Sequence, residues 1–186
     1  MVSFATPAAA TLLMLVVLPL WMAAGLADYF CHRATSIEMT SGTRESVLHL
    51  IQFALVGIPI TLAMFVQTNA GYFALAILFI VLHHAAAAVD LVFANPRRHV
   101  APREQMVHSL LEILPITALF LLAVLYWPQF LALFGFGAEQ PVFAFHVRVL
   151  PIGFVVATLA AAFLLNLVPY IEELSRCMTR ARQTEN

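Results

Sequence analysis

Residues 70–94 read AGYFALAILFIVLHHAAAAVDLVFA, with Asp90 as the one charged side chain. A bilayer core takes about 20 consecutive apolar residues in a helix, so this run predicts a transmembrane span. Working outward, residues 46–67 form a second apolar run, joined to the first by the short turn Gln67-Thr68-Asn69-Ala70. Residues 8–30, 106–127 and 147–171 supply three more. Pro19, Pro59, Pro115 and Pro151 fall inside these runs, which membrane helices tolerate. The segment 128–146 is apolar but carries Pro128, Gly135, Gly137 and Pro141, and predicts an interfacial loop anchored by Trp127 and phenylalanines. The fold expected is an all-α integral membrane protein with five transmembrane helices, a single membrane domain over 1–186.

Composition agrees. The chain is 62% hydrophobic and 10% charged, where a soluble domain carries about 25% charge. The lipid bilayer is therefore its first partner. The net charge of −1 gives no electrostatic basis for nucleic acid. Cys31 and Cys177 lie far apart without paired spacing, so no disulfide framework is expected. The N-terminal run lacks a positive n-region and reads as a retained helix rather than a signal peptide.

All nine basic residues are arginine. Arg33 and Arg44 lie between spans one and two, Arg97, Arg98 and Arg103 between three and four, and Arg176, Arg180 and Arg182 after span five. The N-terminus and the 67–70 turn carry none, and the connection before span five carries only Arg148. The positive-inside rule then places the N-terminus outside and the C-terminus in the cytoplasm of a bacterial inner membrane. The chain also repeats. Arg44-Glu45-Ser46-Val47-Leu48-His49 opens span two and Arg103-Glu104-Gln105-Met106-Val107-His108 opens span four. Each is followed by Pro-Ile-Thr, at 59–61 and 115–117. Two similar helical hairpins are expected, making a four-helix bundle.

Polar residues concentrate at one depth. Side chains four apart share a helix face. Asp28 and His32 stand so on span one, Glu45 and His49 on span two, and Glu104 and His108 on span four. His83 and Asp90 are seven apart on span three. At 1.5 Å per residue these eight side chains fall at one end of the bundle. An ionisable group at the centre of a span costs about 2.5–3.5 kcal/mol, less near its ends, so eight at one level call for compensation. A pair of divalent ions supplies it: carboxylates neutralise and imidazoles complete the coordination. Glu38, His84, His99 and Glu112 are further ligands or supporting partners. The competing reading is an ion-paired network with Arg33, Arg44, Arg97, Arg98 and Arg103. His146 reads as interfacial, Cys31 as structural, and Glu172 and Glu173 as part of a solvated tail.

Nitrogen and oxygen donors without thiolate suit iron first, with zinc or manganese as alternatives. The bundle resembles in architecture the histidine-rich membrane di-iron enzymes of the fatty-acid desaturase and hydroxylase group, although three helices here carry Asp/Glu-xxx-His instead of histidine boxes. The stretches Asp28-Tyr29-Phe30-Cys31-His32-Arg33, Ile37-Glu38-Met39-Thr40-Ser41-Gly42 and Glu45-Ser46-xx-His49 are similar to a family of small bacterial membrane proteins, as is the region through Arg103-Glu104 and His108-Ser109-Leu110-Leu111-Glu112. That resemblance implies a shared site. The leading expectation is a di-iron oxidoreductase acting on a hydrophobic or lipid substrate, with an acidic electron-donor protein at the arginine-rich face. A zinc-dependent hydrolase of a lipid amide or ester would use Glu38 or Glu45 as base. Divalent-metal transport or sensing is a third reading, and a structural bundle without metal a fourth.

Overall fold

The computed structural model describes residues 5–147 and 150–185, so Arg148 lies outside the described residues. Among the described residues five helices are long and apolar enough to cross a membrane. They are α1 (Ala8–Thr35), α2 (Gly42–Phe65), α3 (Ala70–Ala94), α4 (Pro102–Leu125) and α6 (Ile152–Thr184); the short α5 (Trp127–Leu133) lies between the last two. The protein is an all-α membrane protein. Leu15, Val81, Val92, Phe120 and Leu164 are exposed on its outer surface, where lipid is their solvent.

Local sequence sets the turns. Ser36 ends α1 in the left-handed region (φ 51°) and Gly42 opens α2 there (φ 64°), with Ile37 fully buried between them. Asn69 caps α3 by accepting the Tyr72 amide at 3.1 Å, a first-turn donor that has no partner within the helix. Pro59 and Pro115 sit buried inside α2 and α4. π-helical turns interrupt α1 at Leu13–Val17 and α6 at Phe163–Leu167, each re-aiming the face that follows.

α2 packs along α3, α1 along α4, and the last turns of α6 lie against α1 and α2. Val17, Trp21, Met22, Val56, Leu114 and Ala118 fill the middle of the bundle. Tyr72, Phe73, Ala76 and Ala123 fill the end nearer the 66–71 turn.

Two expectations change. The segment 128–146 is not simply a loop: it starts as α5 and continues extended along the 66–71 turn. There the Gln67 amide donates to the His146 carbonyl and the Gly71 amide to the Val142 carbonyl, both at 2.9 Å. The turn leaves backbone donors that need partners, and the extended chain supplies them. Gly71 permits this approach, since a Cβ there would stand 3.0 Å from the Phe143 Cα. The last described helix, expected to end near 171, runs on to Thr184. Its polar continuation is amphipathic and keeps one face against the bundle, so the tail reading fails for Glu173, which is fully buried.

Candidate metal centre

One end of the bundle gathers the titratable groups. α1 brings Asp28 and His32, α2 Glu45 and His49, α3 Asp90, α4 Glu104 and His108, and α6 Glu173. Asp28, His32, Glu45, His49, Asp90, Glu104 and Glu173 are buried, none more than 7% exposed. The i,i+4 spacing read from the sequence is what places each carboxylate beside its own histidine.

Glu173 organises the rest. Its Oε2 lies 3.0 Å from His32 Nδ1 and its Oε1 3.0 Å from His49 Nδ1. An ionised carboxylate only accepts, so both Nδ1 atoms carry the proton and donate it to Glu173. The two rings stack with centroids 4.3 Å apart and planes 10° from parallel. Both Nε2 atoms are thereby turned away from Glu173 toward the other carboxylates.

His32 Nε2 meets Asp28 Oδ1 and Glu104 Oε1, each at 3.4 Å. His108 Nε2 reaches the same Asp28 oxygen at 2.9 Å and Glu104 Oε1 at 3.9 Å. His32 Nε2 is buried with no hydrogen-bond partner, facing Asp28 Oδ1 and Glu104 Oε1, whose other neighbours are His108 and Arg98. Lone pairs facing lone pairs at this spacing repel, and a cation among them reverses the sign. Donors sharing one ion at bond lengths of about 2.1 Å stand about 3.0 Å apart in an octahedral arrangement and about 3.4 Å apart in a tetrahedral one. Asp28, His32 and His108 offer ligand atoms close enough to share an ion, and so do His32, Glu45 and His49.

The other half is better satisfied. His49 Nε2 lies 3.2 Å from Asp90 Oδ2, which also accepts from Gln52 Nε2 at 3.1 Å. Glu45 Oε1 is 3.8 Å from His49 Nε2. Arg98, on the α3–α4 connection, folds inward and bridges Glu45 and Glu104 through its guanidinium. Burial works against its charge. The hydrogen bonds and charges of Glu45 and Glu104 outweigh that and raise its pKa above the ordinary arginine range, so it stays a cation.

The remaining expected residues lie elsewhere. His83 is buried and donates its Nδ1–H to the Gln52 carbonyl, 3.3 Å away, so it lines the same cleft as Asp28, His49 and Asp90 without joining their ion pairs. His84 points its Nδ1 at the Ile80 carbonyl of its own helix, 2.8 Å away. Adjacent helical residues diverge by about 100°, so both cannot face inward. Glu38 pairs with Arg176 across the α1–α2 turn. His99 is exposed, and Glu112 is exposed at the mouth of a narrow cleft that runs down to Asp28, His49 and His108. Cys31 is half-buried and Cys177 buried, both as free thiols. Glu172 makes the surface pair with Arg33, at 3.2 Å.

Sequence reasoning missed Glu173, Gln52 and the inward turn of Arg98. A signal for the first was present: Asn166, Tyr170, Glu173 and Cys177 recur at helical spacing and all are buried. Comparison with protein-family models, with curated proteins and with solved structures finds no match.

Proposed function

We propose that this end of the bundle is a metal centre for two divalent cations, iron first among them, and that the protein is a membrane oxidoreductase acting on a hydrophobic substrate. Asp28, His32, Glu104 and His108 would hold one ion. Glu45, His49 and Asp90 would hold the other, with Glu173 behind both histidines. Metal-binding histidines commonly donate their second ring nitrogen to a carboxylate, which fixes the tautomer and aims the free nitrogen. One carboxylate doing this for two stacked histidines is the observation that carries the reading.

Charge supports it. Among the described residues the buried cluster has five carboxylates and one guanidinium, leaving four negative charges that two divalent cations neutralise. Protonating His32, His49 and His108 instead leaves one charge over and sets two imidazoliums face to face. Arg98 is the element of the ion-pair alternative that does hold: it pairs with Glu45 and Glu104 but does not reach Asp28, and His32 Nε2 keeps no hydrogen-bond partner.

When bound, redox-active iron would supply electron transfer and oxygen chemistry at this end. The residues would orient the donors and neutralise the ions. The arginines of the connections at this end support a cytoplasmic placement in an inner membrane by the positive-inside rule, and an acidic electron donor would then be the protein partner.

Elemental analysis of the purified protein tests this directly. Two irons per chain are expected, with the Asp28→Asn and His32→Ala variants each losing at least one while still inserting. Two zincs would favour the hydrolase. Absence of bound metal after reconstitution with Fe(II), Mn(II) and Zn(II) would remove the proposal.

A further inference from the structure

The far half of the bundle holds a second, partly open space. A cavity of about 490 Å³ lies between α1, α2, α3, α4 and the start of α6. That is within the range of about 300–1,000 Å³ typical of small-molecule sites. Its wall is hydrocarbon, from Val56, Ile80 and Ala118 at its floor to Met64 and Leu122 above. The Tyr72 hydroxyl on this wall is already spent, donating to the Pro59 carbonyl at 3.1 Å.

The far end differs. Thr68 lines the cavity there, is 4% exposed, and its hydroxyl has no hydrogen-bond partner. Thr68 and Tyr126 also line an adjoining cleft with Gln67, Asn69 and Gln129. Among the described residues the cleft lining has amides and hydroxyls and no charged side chain. Glu139 stands at its edge, accepting from Gln129 Nε2 at 2.8 Å. An acidic neighbour disfavours an anionic ligand, and that carboxylate is already engaged by Gln129, so a neutral hydrogen-bonding head suits the Thr68 hydroxyl best.

We propose that this cavity and cleft form a binding site for a single-chain amphiphile with an uncharged polar head: the chain fills the cavity and the head bonds to Thr68. Tyr72 to Ile80 on α3 and Pro115 to Tyr126 on α4 give the cavity a length of about 12–16 Å at 1.5 Å per residue. An extended chain advances about 1.2 Å per bond, so about 10–13 bonds fit. The floor at Val56 and Pro115 is seven residues, about 10 Å, from His49 and His108. The site is therefore distinct from the metal centre, and its occupancy does not depend on metal.

The test uses the full chain in phosphatidylglycerol nanodiscs and two twelve-carbon probes, each with a diazirine at the chain end: a primary alcohol and the matching carboxylic acid. Irradiation and peptide mass spectrometry should place the alcohol adduct on the floor residues Val56, Ile80 and Ala118, well above the lipid-facing Leu15, Val81 and Phe120. The acid should label the floor less. Thr68→Val, which keeps the shape and removes the hydroxyl, should weaken labelling about 2- to 12-fold, the worth of one hydrogen bond. Ala76→Phe should fill the cavity and abolish floor labelling; Ala63→Met does the same more gently if the larger residue prevents folding. Floor labelling no greater than at the lipid-facing positions would overturn the proposal. So would equal labelling by both probes, or full floor labelling in both filled variants. Asp28→Asn should leave labelling unchanged, which separates this result from any failure of the metal centre.

Discussion

Replacing Glu173 with glutamine tests the centre at its hinge. The carboxylate gives one oxygen to His32 Nδ1 and the other to His49 Nδ1, each at 3.0 Å. Glutamine keeps the shape but turns one oxygen into an NH₂ donor. That donor faces an Nδ1–H, so one histidine must move its proton to Nε2 and close that nitrogen to metal. Loss of a carboxylate behind a ligating histidine costs about 10- to 100-fold in metal affinity, or about 1.4–2.7 kcal/mol. Here one histidine loses its acceptor outright, so the expected outcome is one tight ion in place of two and a second weakened by that factor. The assay is metal content and chelator competition on the purified variant. Glu172→Gln is the control. Its side chain is 42% exposed and pairs with Arg33 at the surface, and its metal content should match the parent. If Glu173→Gln retains both ions at parental affinity, the histidines are not aimed by Glu173 and the reasoning fails.

Other outcomes follow from the same coordinates. Gly25→Ala puts a methyl onto the Asn166 side chain, 3.1 Å from its Cγ, and should lower stability in detergent by about 1–3 kcal/mol. Gly57→Ala, with open space around its Cβ, should raise the melting temperature by the equivalent of about 0.5–1 kcal/mol. Asn69→Ala removes the α3 cap and the bond to the Ala144 carbonyl, and should cost about 1–2 kcal/mol in the same melt. His84→Ala should leave metal content unchanged, because that imidazole serves the Ile80 carbonyl rather than the cluster.

Much of this was legible in the chain. The five spans follow from hydropathy and length, which lipid enforces on any helix that crosses it. The Asp/Glu-xxx-His pairs on α1, α2 and α4 converge because four residues return to one face. The repeated Arg-Glu-xxx-His openings of α2 and α4 put Glu45 and Glu104 on either side of Arg98, which the repeat alone could not reveal. Seven residues between His83 and Asp90 allowed a shared stripe, but only Asp90 reaches the cluster; backbone at Gln52 holds His83 instead. Glu173 was lost because the apolar run stops near 171 while the helix does not. A hydropathy window ends where lipid contact ends, yet a helix packed on other helices can carry a polar face further. Arg98 sits on a connection, where position depends on how the chain folds back and no periodicity applies.

The place of Glu173 in the chain sets an order of assembly. Asp28, His32, Glu45, His49, Asp90, Glu104 and His108 all leave the ribosome before it, and the carboxylate that orients two of those histidines arrives only with α6. Until that helix has entered the bilayer and docked on α1 and α2, both imidazoles are free to rotate and to exchange tautomers. Orientation of the two imidazoles thus waits for α6, and on the proposed reading a metal would take its final coordination only once Glu173 has docked.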